Sequence, residues 1–179
     1  VSMLYIATQR RSWLFIGFFL FLGGAYFAYS TFGHVQSRVT VWFDPWAYAD
    51  TTGYQIVQSI YGLANGGILG AGLGQGFPNL VPFASTDFIF SALGEELGIT
   101  GIFAILLLYG ILIERGLRTA ITCRDGFGQL LAAGLSITFA LQVFVIVGGV
   151  TGLVPLTGLT TPFLSYGGSS LIANWVILA

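Results

Sequence analysis

Long apolar runs separated by polar segments set the first expectation for this chain. Residues 13–32 form twenty mostly apolar positions in a row, about 30 Å as a helix and enough to cross a bilayer. Trp13, Tyr26 and Tyr29 suit the interfacial belts at its ends. Further spans are predicted over residues 88–113 and 127–150, and a last one opens at Phe163 and runs to residue 179. The 88–113 run admits two registers. Either one tilted helix carries Glu95 and Glu96 within it, or residues 97–113 alone span and the glutamates sit at the outer rim. Between the first two spans, residues 33–87 hold no apolar run of spanning length. Within them Gln55, Gln58 and Ser59 fall at helical spacing among Ile56, Val57 and Ile60, which predicts a short amphipathic helix lying at the interface or re-entering the membrane, ended by Asn65-Gly66-Gly67. The many aromatics and few charges of this segment argue against a disordered linker, and an ordered loop of this length points to function. Ser85, Thr86 and Asp87 offer N-cap side chains to the helix that follows.

Composition strengthens the membrane reading. The chain is 55% hydrophobic and 7% charged, where a soluble domain carries about 25% charged residues. The expected fold is all-α and polytopic, with four transmembrane helices and one large external loop in a single membrane domain. Arg10, Arg11, Arg115, Arg118 and Arg124 fall on one side of these spans and Arg38 on the other. The positive-inside rule places the five in the cytoplasm, so the 33–87 loop, Asp87 and the 151–162 turn face outside. The net charge of −1 gives no sign of nucleic-acid binding. Cys123 is the single cysteine, which excludes an intrachain disulfide. His34 is the single histidine, and no zinc site is expected. No signal peptide is legible, and a chain that begins without Met and ends inside an apolar run reads as a piece of a longer polypeptide.

The candidate chemistry lies in the few polar residues that interrupt the apolar pattern. A carboxylate at a membrane edge is costly to keep, and function is its default explanation. Asp87 stands at the mouth of a span beside the large loop. It suits a general base or electrostatic stabiliser, or a helix cap, and the two roles are compatible. Glu95 and Glu96 are adjacent, so they point about 100° apart on a helix and lie roughly 12–13 Å from Asp87. They suit either structural pairing, with Arg38 or backbone N–H groups, or binding of a cation or a substrate hydroxyl. The glycine string 70–76 fits neither dinucleotide nor Walker spacing and reads as close packing or a flexible loop, with a lipid-carrier pyrophosphate resting on its backbone amides left open. Ser165, Tyr166, Gly167, Gly168, Ser169 and Ser170 at a helix start suit an anion site or tight helix packing.

Taken in order, GYQIVQS (53–59), the glycines ending at Gly76, TDFIF (86–90), GEELG (94–98) and PFLSYGGSS (162–170) resemble the SEDS family of RodA/FtsW/SpoVE-type peptidoglycan glycosyltransferases. The resemblance implies a ten-helix fold of which this chain is the C-terminal four, with residues 33–87 as the loop between the seventh and eighth helices. It is slightly closer to the RodA-like, elongation branch. It implies that Asp87, in TDFIF, is the essential aspartate. The preceding Phe83-Ala84-Ser85 lacks a carboxylate and a histidine that the family often carries there. It implies that lipid II, a disaccharide-pentapeptide on undecaprenyl pyrophosphate, is polymerised at the outer face of the bacterial cytoplasmic membrane, with a class B penicillin-binding transpeptidase as partner. The pyrophosphate leaving group would be met by Arg38 and residues 165–170, and sugars by Gln55, Gln58 and Ser59. A divalent cation, magnesium or manganese, is left open as cofactor. The rival readings are a lipid II flippase, for which the glutamates matter most, and a scaffold that recruits a transpeptidase.

Overall fold

The computed structural model describes residues 2–77 and 80–178, and among these there are helices and turns but no strands. The elements are α1 (Ser2–Thr8), α2 (Ser12–Thr31), α3 (Gly33–Phe43), a 3₁₀ turn (Trp46–Tyr48), α4 (Tyr54–Gly66), α5 (Ile89–Thr122), α6 (Gly126–Val150) and α7 (Gly168–Leu178). Three of them, α2, α5 and α6, are long and apolar enough to cross a membrane.

The expected fourth span is shorter than the sequence pattern suggests. Residues 163–167 form a turn, and α7 begins only at Gly168. Phe163 adopts a left-handed φ of 62°, which a helix cannot continue through. The chain before α4 is more ordered than a loop. Phe32 turns extended between α2 and α3, and α3 runs on for eleven residues. The helix after Asp87 is also longer than expected: Glu114, Arg115 and Arg118, beyond the end of the predicted 88–113 span, lie on the last turns of α5.

The core explains this arrangement. Val41 of α3, Ile56 of α4, Phe88 and Phe90 at the start of α5, and Phe139, Val143, Ile146 and Val150 of α6 form one buried cluster. Tyr109 of α5 joins it, its hydroxyl donating to the Pro162 carbonyl. α5 is therefore the central element, with α4 and α6 packed against it. α2 has no buried residue. A helix apolar all round suits lipid or further membrane helices.

α5 is kinked, and the kink accounts for the glycine string. Gly98 has φ 69° and ψ −172° inside the helix. In a regular helix the Glu95 carbonyl would accept from the Ile99 N–H and the Glu96 carbonyl from the Thr100 N–H. The kink removes both bonds, and buried backbone groups must be paired elsewhere. The loop after α4 supplies every partner. Ala71 N donates to the Glu95 carbonyl (2.9 Å) and Gly72 N to the Glu96 carbonyl (3.0 Å). Ile99 N donates to the Gly67 carbonyl (3.0 Å) and Thr100 N to the Ile68 carbonyl (3.2 Å). This pairing needs backbone against backbone. A Cβ on Gly70 would collide with the Glu96 carbonyl, and one on Gly98 with the Gly70 amide.

Candidate functional site

Asp87 sits on a short clamp between two segments far apart in sequence. Next to it Phe88 is 1% exposed and Phe90 2% exposed. Burial of these rings fixes the start of α5 and leaves Asp87 half-buried at the rim. Before it, Phe83 takes a left-handed φ of 59°, and its carbonyl accepts from the N–H groups of Thr86 (3.0 Å) and Phe88 (3.3 Å). The second segment closes over this turn. Tyr166 N donates to the Ser85 carbonyl (2.8 Å), and the Ser165 hydroxyl donates to the Thr86 carbonyl while accepting from Thr161 N. Both residues before Asp87 thus have their carbonyls fixed from across the fold. Phe83 and Phe163, two of the three non-glycine residues at positive φ among those described, flank this clamp. Backbone strain of this kind concentrates at functional sites.

The expected side-chain cap is not formed. The N-cap position of α5 is Phe88, and no side chain caps the helix. Among the described residues the Asp87 carboxylate accepts no hydrogen bond from protein, so it is available to an incoming group.

Arg38 reaches the same place from α3. Its Nη1 donates to the Leu156 carbonyl at 2.8 Å, which aims the guanidinium at the turn between α6 and α7. There Gly158 has φ 70°, and a Cβ built on it would lie 3.5 Å from both Asp87 Oδ2 and Arg38 Nη2. The two charged groups face each other across a glycine without closing into an ion pair; among the described residues only Arg118 and Glu114 form one. Trp42 Nε1 holds the Gly152 carbonyl and Gln142 Nε2 the Thr160 carbonyl, so this turn is tied to α3 and α6. A cleft of about 330 Å³ opens beside Arg38, lined also by His34, Ser37, Thr51, Thr52 and Gln55.

The other predicted site residues are placed elsewhere. Gln58 lines a separate cavity of about 410 Å³ with Tyr61, Asn65 and Glu95. Ser59 is fully buried, and its carbonyl accepts from the Ser91 hydroxyl at 2.8 Å. Glu95 is 4% exposed, and its Oε1 accepts from Asn65 Nδ2 (3.0 Å) and Phe77 N (3.1 Å). One backbone amide and one amide side chain, not Arg38, are therefore its partners. Glu96 is half-buried beside the Gly76 stretch. Tyr166, Gly168 and Ser169 are exposed and Gly167 is half-buried. Sequence reasoning missed Gly158, Leu156, Gln142 and Trp42 as parts of the site. The signal available for Gly158 was a glycine in a turn predicted to lie on the same side as Asp87.

The FtsW/RodA/SpoVE pattern, described as "Cell cycle protein", matches residues 1–179. This chain belongs to the FtsW/RodA/SpoVE family. It is 63% identical over 177 residues to the peptidoglycan glycosyltransferase RodA of Mycobacterium tuberculosis (strain ATCC 25618 / H37Rv), covering 99% of this chain and 38% of that protein. It is 41% identical over 176 residues to the probable peptidoglycan glycosyltransferase FtsW of Geobacter metallireducens, covering 97% of this chain and 47% of that protein. The chain thus spans less than half the length of these curated relatives. Its fold superposes on a chain of a solved peptidoglycan synthase complex that coordinates polymerization and crosslinking, with a TM-score of 0.77 at 30% identity. That match covers 98% of this chain and 50% of the other. The RodA/FtsW-type fold is therefore the one that brings Asp87, Arg38 and Gly158 together.

Proposed function

We propose that this chain carries the reaction centre of a peptidoglycan glycosyltransferase that polymerises lipid II at the outer face of the cytoplasmic membrane, with Asp87 as general base. The observation that carries this reading is the arrangement at Gly158: a half-buried carboxylate that accepts no hydrogen bond among the described residues, opposed by a guanidinium, at the rim of a membrane-spanning helix. A substrate that is half lipid and half sugar must react at such a rim. The acceptor hydroxyl of one sugar attacks the anomeric carbon of another. A C–O bond forms, the bond from that carbon to the diphosphate oxygen breaks, and the hydroxyl proton passes to Asp87. The lipid-linked diphosphate leaves with the bonding electrons, and Arg38 stabilises the charge that grows on it.

The arginine distribution supports an outward-facing site. Names of relatives and of the superposed complex support the reaction class and a transpeptidase partner for crosslinking. The RodA relative's higher identity favours a place in elongation over division. A magnesium or manganese ion is compatible with the site in one form only. Among the described residues no three His, Cys, Asp or Glu side chains cluster, so the donor set fits a cation carried on the diphosphate and touched by Asp87 rather than one caged by protein.

The test follows labelled lipid II into glycan polymer, using full-length protein with its transpeptidase partner. Asp87→Asn is nearly isosteric and should fold normally. Its polymer yield is expected to fall about a hundred- to ten-thousandfold. Undiminished polymer would remove Asp87 as the base. Translocation of lipid II by wild type without any polymer would favour the flippase.

A further inference from the structure

Gly158 is conspicuous for what it lacks. Two oppositely charged groups from different elements, Asp87 Oδ2 and Arg38 Nη2, each stop 3.5 Å from the point its missing Cβ would occupy. Although both charges line the same glycine, they do not close into an ion pair. Here Arg38 is held back by the Leu156 carbonyl, and Asp87 by the backbone clamp of Ser85 and Thr86. The space between them is therefore built by the fold. Arg38 and Leu156 also line the neighbouring cleft with Ser37, Thr51, Thr52 and Gln55, which offers hydroxyls and an amide.

We propose that Gly158 is the floor of the reacting position. The acceptor hydroxyl held by Asp87 and the diphosphate oxygen met by Arg38 approach each other over its α-carbon, and the polyhydroxyl or diphosphate portion of the donor runs into the Thr51–Gln55 cleft. The residue is then a substrate contact whose required property is the absence of a side chain. This rests on the glycosyltransferase reading and adds the place within the site where the substrate sits.

A second glycine of the same turn separates this role from backbone strain. Gly152 has φ 77°, close to the 70° of Gly158, yet nothing lies within 4 Å of a Cβ built on it. Alanine at either position meets the same left-handed penalty, and only at 158 does it enter the charged space. Asparagine tolerates this backbone better than alanine but fills more of the space. If strain governed, Gly158→Asn would be the milder substitution; if occupancy governs, it is the more damaging one.

The experiment measures binding of labelled lipid II and its polymerisation in the same preparations of full-length protein with its transpeptidase. The variants are Gly158→Ala, Gly158→Asn and Gly152→Ala, each checked for folding by thermal unfolding in detergent. The expected result is a loss of turnover of about a hundredfold in Gly158→Asn, the scale of a misplaced reacting group. Gly158→Ala should fall between it and wild type, Gly152→Ala should match wild type, and lipid II binding should weaken in the same order. A folded Gly158→Asn that binds and polymerises like wild type, or one more active than Gly158→Ala, would overturn the proposal. Should Gly158→Ala not fold, the Asn variant decides alone. Wild type that binds lipid II without polymerising it, with binding lost in Gly158→Asn, would overturn the glycosyltransferase reading while leaving the assigned contact intact.

Discussion

Asp87 and Glu95 stand eight residues apart near the start of one helix, and the fold treats them in opposite ways. Glu95 is 4% exposed, and one of its oxygens is committed to the Asn65 side chain and the Phe77 amide. Asp87 is half-buried, its neighbours' carbonyls are fixed, and its own carboxylate accepts nothing from the described protein. A buried carboxylate with partners on α4 and the following loop is a fastener. A carboxylate whose backbone is clamped while its oxygens stay open is poised to receive a ligand. Carboxylates in a membrane protein therefore do not all point to chemistry; hydrogen-bond partners separate the two kinds.

The comparison breaks first if activity follows the wrong carboxylate. Asp87→Asn should abolish polymer synthesis with an unchanged unfolding temperature. Glu95→Gln should do the reverse, with wild-type polymer per folded molecule and lowered stability. Equal loss of activity in both, with both folded, would mean that the buried glutamate also reaches substrate. The next largest effect belongs to the kink that sets Glu95 in place. Gly98→Ala combines a left-handed φ with a collision against the Gly70 amide, and overpacking plus backbone strain should destabilise by about 3 kcal/mol or more. The check is the yield of folded protein and its thermal unfolding. A variant as stable as wild type would mean that the loop can shift and that its four backbone bonds are dispensable. Glu95→Gln comes below this. Its oxygen can still accept from Asn65 and Phe77, but without the charge that strengthens those bonds, so a loss of about 1 kcal/mol is expected.

How much of this was legible beforehand follows from the range of the interactions. Apolar runs gave α2, α5 and α6, because spanning length and hydropathy are local properties of the sequence. The amphipathic segment around Gln55 gave α4 for the same reason. The glycine string was read as close packing or a flexible loop; it packs against α5, but its purpose depends on the kink at Gly98, a residue outside the string. No local pattern reports such a pairing. The start of α7 was misplaced because Phe163 takes a left-handed φ and Ser165 is drawn to Thr161 and to Thr86, a partner distant in sequence. Gln55, Gln58 and Ser59 were grouped by spacing, yet they divide between the Arg38 cleft, the Glu95 cavity and the core, since the partners of α4 on each side decide what its residues face. Asp87 was visible from its position, and its convergence with Arg38 over Gly158 was not, because those three residues come from three separate segments.

Glu114 supplies the smallest test and fixes the lower end of the scale. It is the third glutamate of α5, one turn before Arg118, and the two form a surface ion pair with Nη2 to Oε1 at 2.7 Å and side chains 68% and 50% exposed. The pair joins i and i+4 on a helix end where solvent screens both charges. Such pairs contribute about 0.3–0.5 kcal/mol at most. Glu114→Gln should leave polymer synthesis and the unfolding temperature within error, with any small difference vanishing at high salt. A clear loss of activity would mean that the Arg118 end of α5 is coupled to the Asp87 rim through the kinked helix. A null result would leave the three carboxylates ranked by what holds their oxygens: an open rim at Asp87, buried protein amides at Glu95 and a solvent-exposed guanidinium at Glu114.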